Sequence, residues 1–352
     1  MIQFLVHRRN TRPLDRLLAV AERMGVRLKV TTYQDAFGRR EIEAAPTIFT
    51  DFDLLHSYEI DAAAQAAAAI RTAGAPVVND PSQVLRRGAL LRRLHAKGLN
   101  TVEVTNLEFG ETPMCYPVFL RSDAGCAGPE THLLSNETEY HAAVEALVPR
   151  GLTTAGRLAL TFCSEKDADG FYRKYGAFVI NGHVVPQHIL RSRDWNVKSG
   201  AAETDPAFIA EERRFVDENP HADALLRIAR AGHIDYGRVD YTIVEGDIVV
   251  FEINTNPKYP NFIDGDPARD ERRATILAQL ATAFRSIDGE GRGAVPFGLG
   301  TSGNTGFIES DRWYAHPLHA LSRLSRWRQA AARIRRRRDK TKRKQADARL
   351  GS

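Results

Sequence analysis

Two apolar runs joined by a two-residue turn constrain this chain more than any other feature. Val239–Val244 and Asp247–Asn254 flank Glu245-Gly246, which predicts an antiparallel pair of strands. Glu252 and Asn254 are two positions apart, so both side chains project from one face, with Asp240 on the neighbouring strand. Ile248, Val249, Val250, Phe251 and Ile253 predict a buried strand, and a carboxylate in such a strand needs a partner. Three hard oxygen donors on one sheet face suit Mg²⁺, which takes a few carboxylates and completes its shell with phosphates.

The fragments that carry these residues, Gly237-Arg238-Val239-Asp240 and Phe251-Glu252-Ile253-Asn254-Thr255-Asn256-Pro257, resemble the metal-binding strands of the ATP-grasp superfamily. They are similar to those of D-alanine–D-alanine ligase, glutathione synthetase and the RimK-type ligases. The resemblance implies an ATP-grasp fold, α/β (α+β) in class, using ATP and Mg²⁺ (or Mn²⁺). In it Asp240, Glu252 and Asn254 hold the metal between the β- and γ-phosphates, and Arg238 is the catalytic residue that touches the transferring phosphoryl group or the tetrahedral intermediate. Lys258 stands where many relatives have Gly.

The same resemblance orders the rest of the chain. Residues 1–80 correspond to an N-terminal parallel-sheet domain, and 81–288 to the ATP-grasp domain, with a lid at about 100–155 and the metal-binding lobe at about 156–288. Residues 289–352 are left as linker and tail. Two phosphate-binding Lys of the family fall on Arg87, with Arg86 as the neighbour able to exchange roles, and on Arg121. Arg keeps the charge and adds a planar fork suited to phosphate. Ser122 to Pro129 aligns with the flexible phosphate-covering loop, in which Gly125 and Gly128 let the backbone approach. Phe162 and Cys163 fall at the adenine-binding hinge, with Glu165 or Asp167 near the ribose. Gly176 occupies a position where relatives carry a phosphate-facing Arg, leaving Arg173 or Lys174 to take over, or to form a solvated basic cluster on a hairpin.

Read without the resemblance, the N-terminal region alternates strand and helix. Ile2–Val6, Val26–Thr31, Thr47–Thr50 and Pro76–Asn79 are predicted strands, and Pro13–Met24 and Ile60–Thr72 predicted helices. That rhythm implies a small parallel sheet. Its glycines form no Gly-x-Gly-x-x-Gly. Ser82 is a candidate N-cap for a helix running to Gly98. Asn181-Gly182 predicts a hairpin, Ala268–Ile287 a helix, and 289–306 a Gly- and Ser-rich linker. His188 reads either as a satisfied core histidine or as an acid/base group. With Lys258, Tyr259 and Asn261 it is a candidate for the acceptor end of a site by location.

Composition closes other routes. No apolar run reaches the length of a membrane span. Cys115, Cys126 and Cys163 are odd in number and lack a Cys-x-x-Cys spacing, which argues against a zinc site or a disulfide framework and for a cytoplasmic protein. Thirteen Lys and Arg against two Asp give residues 321–352 a charge of +11, so the remainder carries −6 of the net +5. The basic stretch follows an amphipathic pattern (Leu318, Leu321, Leu324, Ala331, Ile334) beside Trp327. It reads as a basic helical or disordered tail, a polyanion-binding arm or a membrane-surface contact.

The resemblance implies an ADP-forming ligase that joins a small-molecule carboxylate to an amine or thiol through an acyl phosphate. The alternatives are an ATP-grasp-like kinase that phosphorylates a hydroxyl, and an ATP-binding module without turnover.

Overall fold

The computed structural model describes residues 1–125, 128–198, 205–263, 265–300 and 308. Met1–Gly298 form one compact unit. The basic tail and the loop residue Cys126 lie outside the described residues. The fold is mixed α/β, with one parallel and several antiparallel sheets. Among the described residues no helix is long and apolar enough to cross a membrane.

The N-terminal region contains β1 (Ile2–Val6), β2 (Leu28–Thr32), β3 (Glu41–Glu43), β4 (Thr47–Phe49) and β5 (Val77–Val78), with α1 (Asp15–Leu18), α2 (Tyr33–Arg39) and α3 (Ser57–Thr72). Its parallel sheet has the order β2-β1-β4-β5. The chain therefore leaves β1 first to one side and then to the other, and a crevice opens beyond the carboxyl ends of β1 and β4. The predicted helix over 13–24 is a single helical turn, α1, followed by further turns to Gly25 at φ 68°. Leu14, Leu17, Val20 and Met24 are nonetheless fully buried, so their apolar spacing reports burial rather than helix length.

Next comes α4 (Arg87–Ala96). Ser82 does not cap it. Asp80 Oδ1 accepts from Ser82 N at 2.9 Å and caps a short 3₁₀ turn, Pro81–Gln83, so α4 starts four residues later than that cap implied. Strands β6 (Val104–Asn106), β7 (Val118–Ser122) and β8 (Arg157–Thr161), with α5 (Glu137–Glu145), form a smaller layer in which β8 lies between the other two. Its core is Leu107, Val118, Leu120, Leu134, Tyr140, Leu147 and Ala159. β8, placed by sequence in the metal-binding lobe, belongs to this lid sheet because it pairs on both edges there.

The third layer is a four-stranded antiparallel sheet of β9 (Tyr172–Ile180), β10 (His183–Ser192), β11 (Tyr236–Val244) and β12 (Asp247–Asn254), in the order β10-β9-β11-β12. Its two hairpin turns, Asn181-Gly182 and Glu245-Gly246, have positive φ at both residues, the geometry that matches strand twist. Helices α6 (Pro206–Glu218), α7 (Ala222–Ala231) and α8 (Asp270–Arg285) pack against β10. Beyond α8, where sequence predicts a linker, β13 (Ala294–Pro296) pairs antiparallel with β3.

Two buried asparagines join these layers. Asn79, at φ 59°, donates to Phe49 O (3.0 Å) and Tyr236 O (2.7 Å) and accepts from Asp235 N (2.8 Å) and Tyr236 N (2.9 Å). It thus satisfies backbone groups of both the parallel sheet and the start of β11. Asn100 does the same for β12, exchanging bonds with Val250 O (3.1 Å) and Val250 N (2.9 Å).

Candidate active site

β11 and β12 bring the predicted metal ligands together. Asp240 is paired in register with Glu252, and Arg238 with Asn254. The register shifts between Asp240 and Tyr241, so the bulge falls at Phe251, and such bulges re-aim side chains beside functional sites. Asp240 is 2% exposed. The Arg238 guanidinium holds both its oxygens, Nε to Oδ1 at 2.6 Å and Nη2 to Oδ2 at 3.2 Å, and Lys174 Nζ approaches Oδ2 at 3.5 Å. Asn254 Oδ1 accepts from Asn256 N at 2.8 Å.

Glu252 has different partners. Its Oε2 accepts from Arg87 Nη2 at 2.9 Å and from Arg121 Nη2 at 3.0 Å. Arg87 opens α4, and Arg121 lies on β7. Both guanidinium groups, predicted as phosphate contacts, therefore converge on a predicted metal ligand. Burial, then the neighbouring Arg87, pulls the Arg121 pKa below its ordinary value, with Glu252 opposing them. Arg87 also donates to Ser122 O (2.8 Å), Asp123 O (3.1 Å) and Gly125 O (2.7 Å). Its Nε is buried without a hydrogen-bond partner. Arg86 points elsewhere, to Leu55 O at 2.6 Å. The loop is tied from its other side too, Gly125 N donating to Asp53 Oδ2 at 2.8 Å.

These groups line one cavity of about 770 Å³, ample for a nucleotide-sized ligand. One end is apolar. There Trp195 meets Phe119 (ring centroids 5.3 Å apart) and Phe162 (5.4 Å, at 78°). Gly125 and Gly128 also line the cavity, whereas Cys163 and Glu165 do not. Cys163 turns its thiol toward Thr161 Oγ1 at 3.4 Å, and Glu165 is exposed. Of the two basic residues offered in place of the missing Arg, Lys174 reaches Asp240, while Arg173 is held by Asp167, Asp169 and Glu211. Asp167 is thereby an ion-pair partner outside the cavity lining.

Of the acceptor-end candidates, Lys258 lines the cavity, and His188, Tyr259 and Asn261 do not. Tyr259 is a core residue, stacked on Phe178 at 4.8 Å, with its hydroxyl 2.7 Å from that of Tyr236. His188 pairs across β9 with Gly176, which pairs with Asp240, so His188, Gly176, Asp240 and Glu252 form one row over four strands. A Cβ on Gly176 would lie 2.6 Å from His188 Cε1, so the missing side chain is the space the imidazole fills. Burial, then Arg238, Lys174 and Arg272, hold its pKa well below the usual histidine value, and Nε2 is buried without a partner.

Sequence reasoning missed the wall supplied by the N-terminal sheet: Arg9 and Asn10 after β1, and Asp51 and Asp53 after β4. The signal was available in the switch-point rule for parallel sheets. Asp51 is 1% exposed, has φ 56°, and accepts from His7 N (2.8 Å), Asn10 Nδ2 (2.6 Å) and Asn256 Nδ2 (3.0 Å). Burial, the largest influence, pushes its pKa up to about 6 against these three hydrogen bonds.

Two carboxylates and an amide oxygen are a donor set that fits a hard divalent cation. Among the described residues no three His, Cys, Asp or Glu side chains cluster as a metal site.

No family model matches the chain, and no curated protein sequence does. Solved structures similar to it include D-alanine–D-alanine ligase from Bacillus anthracis, at 12% identity over 81% of this chain and 98% of that one, with a TM-score of 0.48. They include the ATP-grasp ligase PsnB complexed with minimal precursor (16%, 81% and 98%, TM-score 0.48). They also include the RimK domain protein ATP-grasp from Sphaerobacter thermophilus (15%, 80% and 98%, TM-score 0.43). The chain is similar in fold to ATP-grasp ligases.

Proposed function

We propose that this protein is an ATP-dependent, ADP-forming carboxylate–amine (or thiol) ligase. The observation that carries the reading is the meeting of Arg87 and Arg121 on Glu252, within one cavity that also contains Asp240, Arg238 and Asn254. Two guanidinium groups paired with a carboxylate beside a second carboxylate describe a site for a metal–polyphosphate pair, because both sets of charges would keep partners if the two ligands arrived together. The buried Nε of Arg87 is a donor that a phosphate oxygen would satisfy.

Asp240, Glu252 and Asn254 would hold Mg²⁺ (or Mn²⁺), which when bound supplies neutralising charge between the terminal phosphates. Phe119, Phe162 and Trp195 give the purine an apolar, aromatic end. Arg87 and Arg121 take phosphate oxygens. Arg238, aligned by Asp240, stabilises the transferring group. An oxygen of the carboxylate substrate attacks the γ-phosphorus as the bond to the ADP oxygen breaks. The amine then attacks the acyl carbon, loses a proton, and phosphate leaves. The loop held by Arg87 and Asp53 covers the site and keeps water from the acyl phosphate. No enzyme nucleophile is required.

The test is turnover of ATP with pooled amino acids and small carboxylates, following ADP, phosphate and product mass together. Phosphate release with a condensed product is expected. Phosphate retained on product would make the protein a kinase, and binding without turnover would make it a nucleotide-binding module.

A further inference from the structure

The cavity extends past the proposed phosphoryl-transfer centre to the crevice at the carboxyl ends of β1 and β4, and its charge there is unusual. Of the basic groups in the lining, Arg87 and Arg121 share Glu252, Lys174 and Arg238 share Asp240, and Arg173 is held by Asp167, Asp169 and Glu211. Arg86, Lys198, Arg9 and Lys258 also line the cavity, and among the described residues none of the four makes an ion pair; Arg86 is held by Leu55 O, and Arg9 and Lys258 are the two that flank the contact of Asn10 with Asn256. They come from opposite walls that meet nearby: Asn256 Nδ2 donates to Asn10 O at 2.8 Å, which sets the neighbour of Arg9 against the residue two before Lys258. The Lys258 backbone is itself fixed, its carbonyl accepting from Arg238 Nη1 at 3.3 Å. Lys258 is thus tied through its backbone to Arg238. Its side chain is left exposed, as is that of Arg9. Asp51 and Asp53 stand on the same wall, Asp51 buried and accepting from His7 N, Asn10 Nδ2 and Asn256 Nδ2, and Asp53 accepting from Gly125 N, and neither forms an ion pair with Arg9 or Lys258.

We propose that Arg9 and Lys258 bind a second anionic group on the carboxylate substrate, so that the protein acts on a di- or tricarboxylate, or a phosphorylated carboxylate, rather than on a simple monocarboxylate. This rests on the ligase reading above, since it presumes that the first carboxylate lies at Arg238. Two exposed cations without an ion-pair partner at a cleft wall are available to a ligand's anionic group. A ligand carboxylate or phosphate can accept from both, and Arg contributes a bidentate fork. A monocarboxylate bound at Arg238 leaves both unmatched.

The experiment is calorimetric titration of tricarballylate and of butyrate into the full chain saturated with Mg²⁺ and AMP-PNP, for the wild type and for Arg9→Ala/Lys258→Ala. Filling the nucleotide site first removes Arg87 and Arg121 from competition. Tricarballylate is expected to bind at least tenfold more tightly than butyrate. That preference should vanish in the double variant while its AMP-PNP affinity stays unchanged, which also reports that the variant is folded. Equal affinities for the two acids in the wild type, or a preference that survives the double substitution, would overturn the proposal. Failure of the wild type to bind AMP-PNP is a separate result that would remove the ligase reading and this inference with it.

Discussion

Asp240 and Glu252 are direct cross-strand partners on β11 and β12, yet each is neutralised by a different pair of cations. Asp240 has Arg238 and Lys174 from its own sheet. Glu252 has Arg87 and Arg121 from α4 and the lid sheet. The first pair is built within one layer, whereas the second exists only because three layers meet.

Glu252→Gln should lower turnover by at least a hundredfold. It should also cost about 1–3 kcal/mol of stability, because two charge-assisted hydrogen bonds weaken and Arg87 and Arg121 are left facing each other. Chemical denaturation beside a product assay checks both. Wild-type activity in a folded variant would remove Glu252 from the metal set.

Metal and nucleotide should bind cooperatively. Without phosphate, a divalent ion must take Glu252 from Arg87 and Arg121, and Asp240 from Arg238, leaving cations unpaired. Mn²⁺ followed by electron paramagnetic resonance should bind at least tenfold more tightly with AMP-PNP present than alone. Equal affinities would contradict this linkage.

The pKa of Asp51 gives a signed pH dependence. Its folded-state value of about 6 lies above the ordinary 3.8, so the folded protein holds that proton more tightly than the unfolded chain does. The contribution is unfavourable above pH 6 and is relieved as pH falls from about 6 toward 4. Relative to Asp51→Asn, wild-type unfolding free energy should therefore rise by up to about 3 kcal/mol between pH 7.5 and 4. Denaturant titrations at several pH values measure the gap, and a flat one counts against the raised value.

Asn79→Ala should be among the most damaging single substitutions outside the cavity. It removes four hydrogen bonds and leaves buried backbone groups of two layers unsatisfied. A loss of about 2–5 kcal/mol is expected from thermal or denaturant unfolding. A change within experimental error would mean that water or relaxation replaces the side chain.

Gly176→Ala tests the row across the sheet. The added methyl meets the His188 ring, and overpacking of this kind costs about 1–3 kcal/mol. Combining it with His188→Ala should recover part of that loss, giving a measurable coupling in a double-mutant cycle. Strict additivity would show that the two residues do not press on each other.

What sequence alone determined was local. The alternation in 239–254, the Glu245-Gly246 turn and the Asn181-Gly182 turn specify hairpins, because strand period and positive-φ requirements act over a few residues. Regular pairing out of that turn would set Asp240 opposite Phe251, and the bulge at Phe251 is what brings it opposite Glu252. Where tertiary packing competes, sequence spoke less clearly. The apolar spacing over 13–24 forms one helical turn, Ala294–Pro296 leaves its supposed linker to pair with β3, and β8 joins the lid sheet. In each case burial against a distant partner outweighs local preference. The choice between Arg173 and Lys174, the retreat of Tyr259 into the core and the entry of Arg9 and Asp51 into the cavity were decided only by the tertiary structure. A charged or polar side chain goes where its partner is. Those partners lie tens to hundreds of positions away, as Asn10 does from Asn256, so no spacing along the chain encodes them.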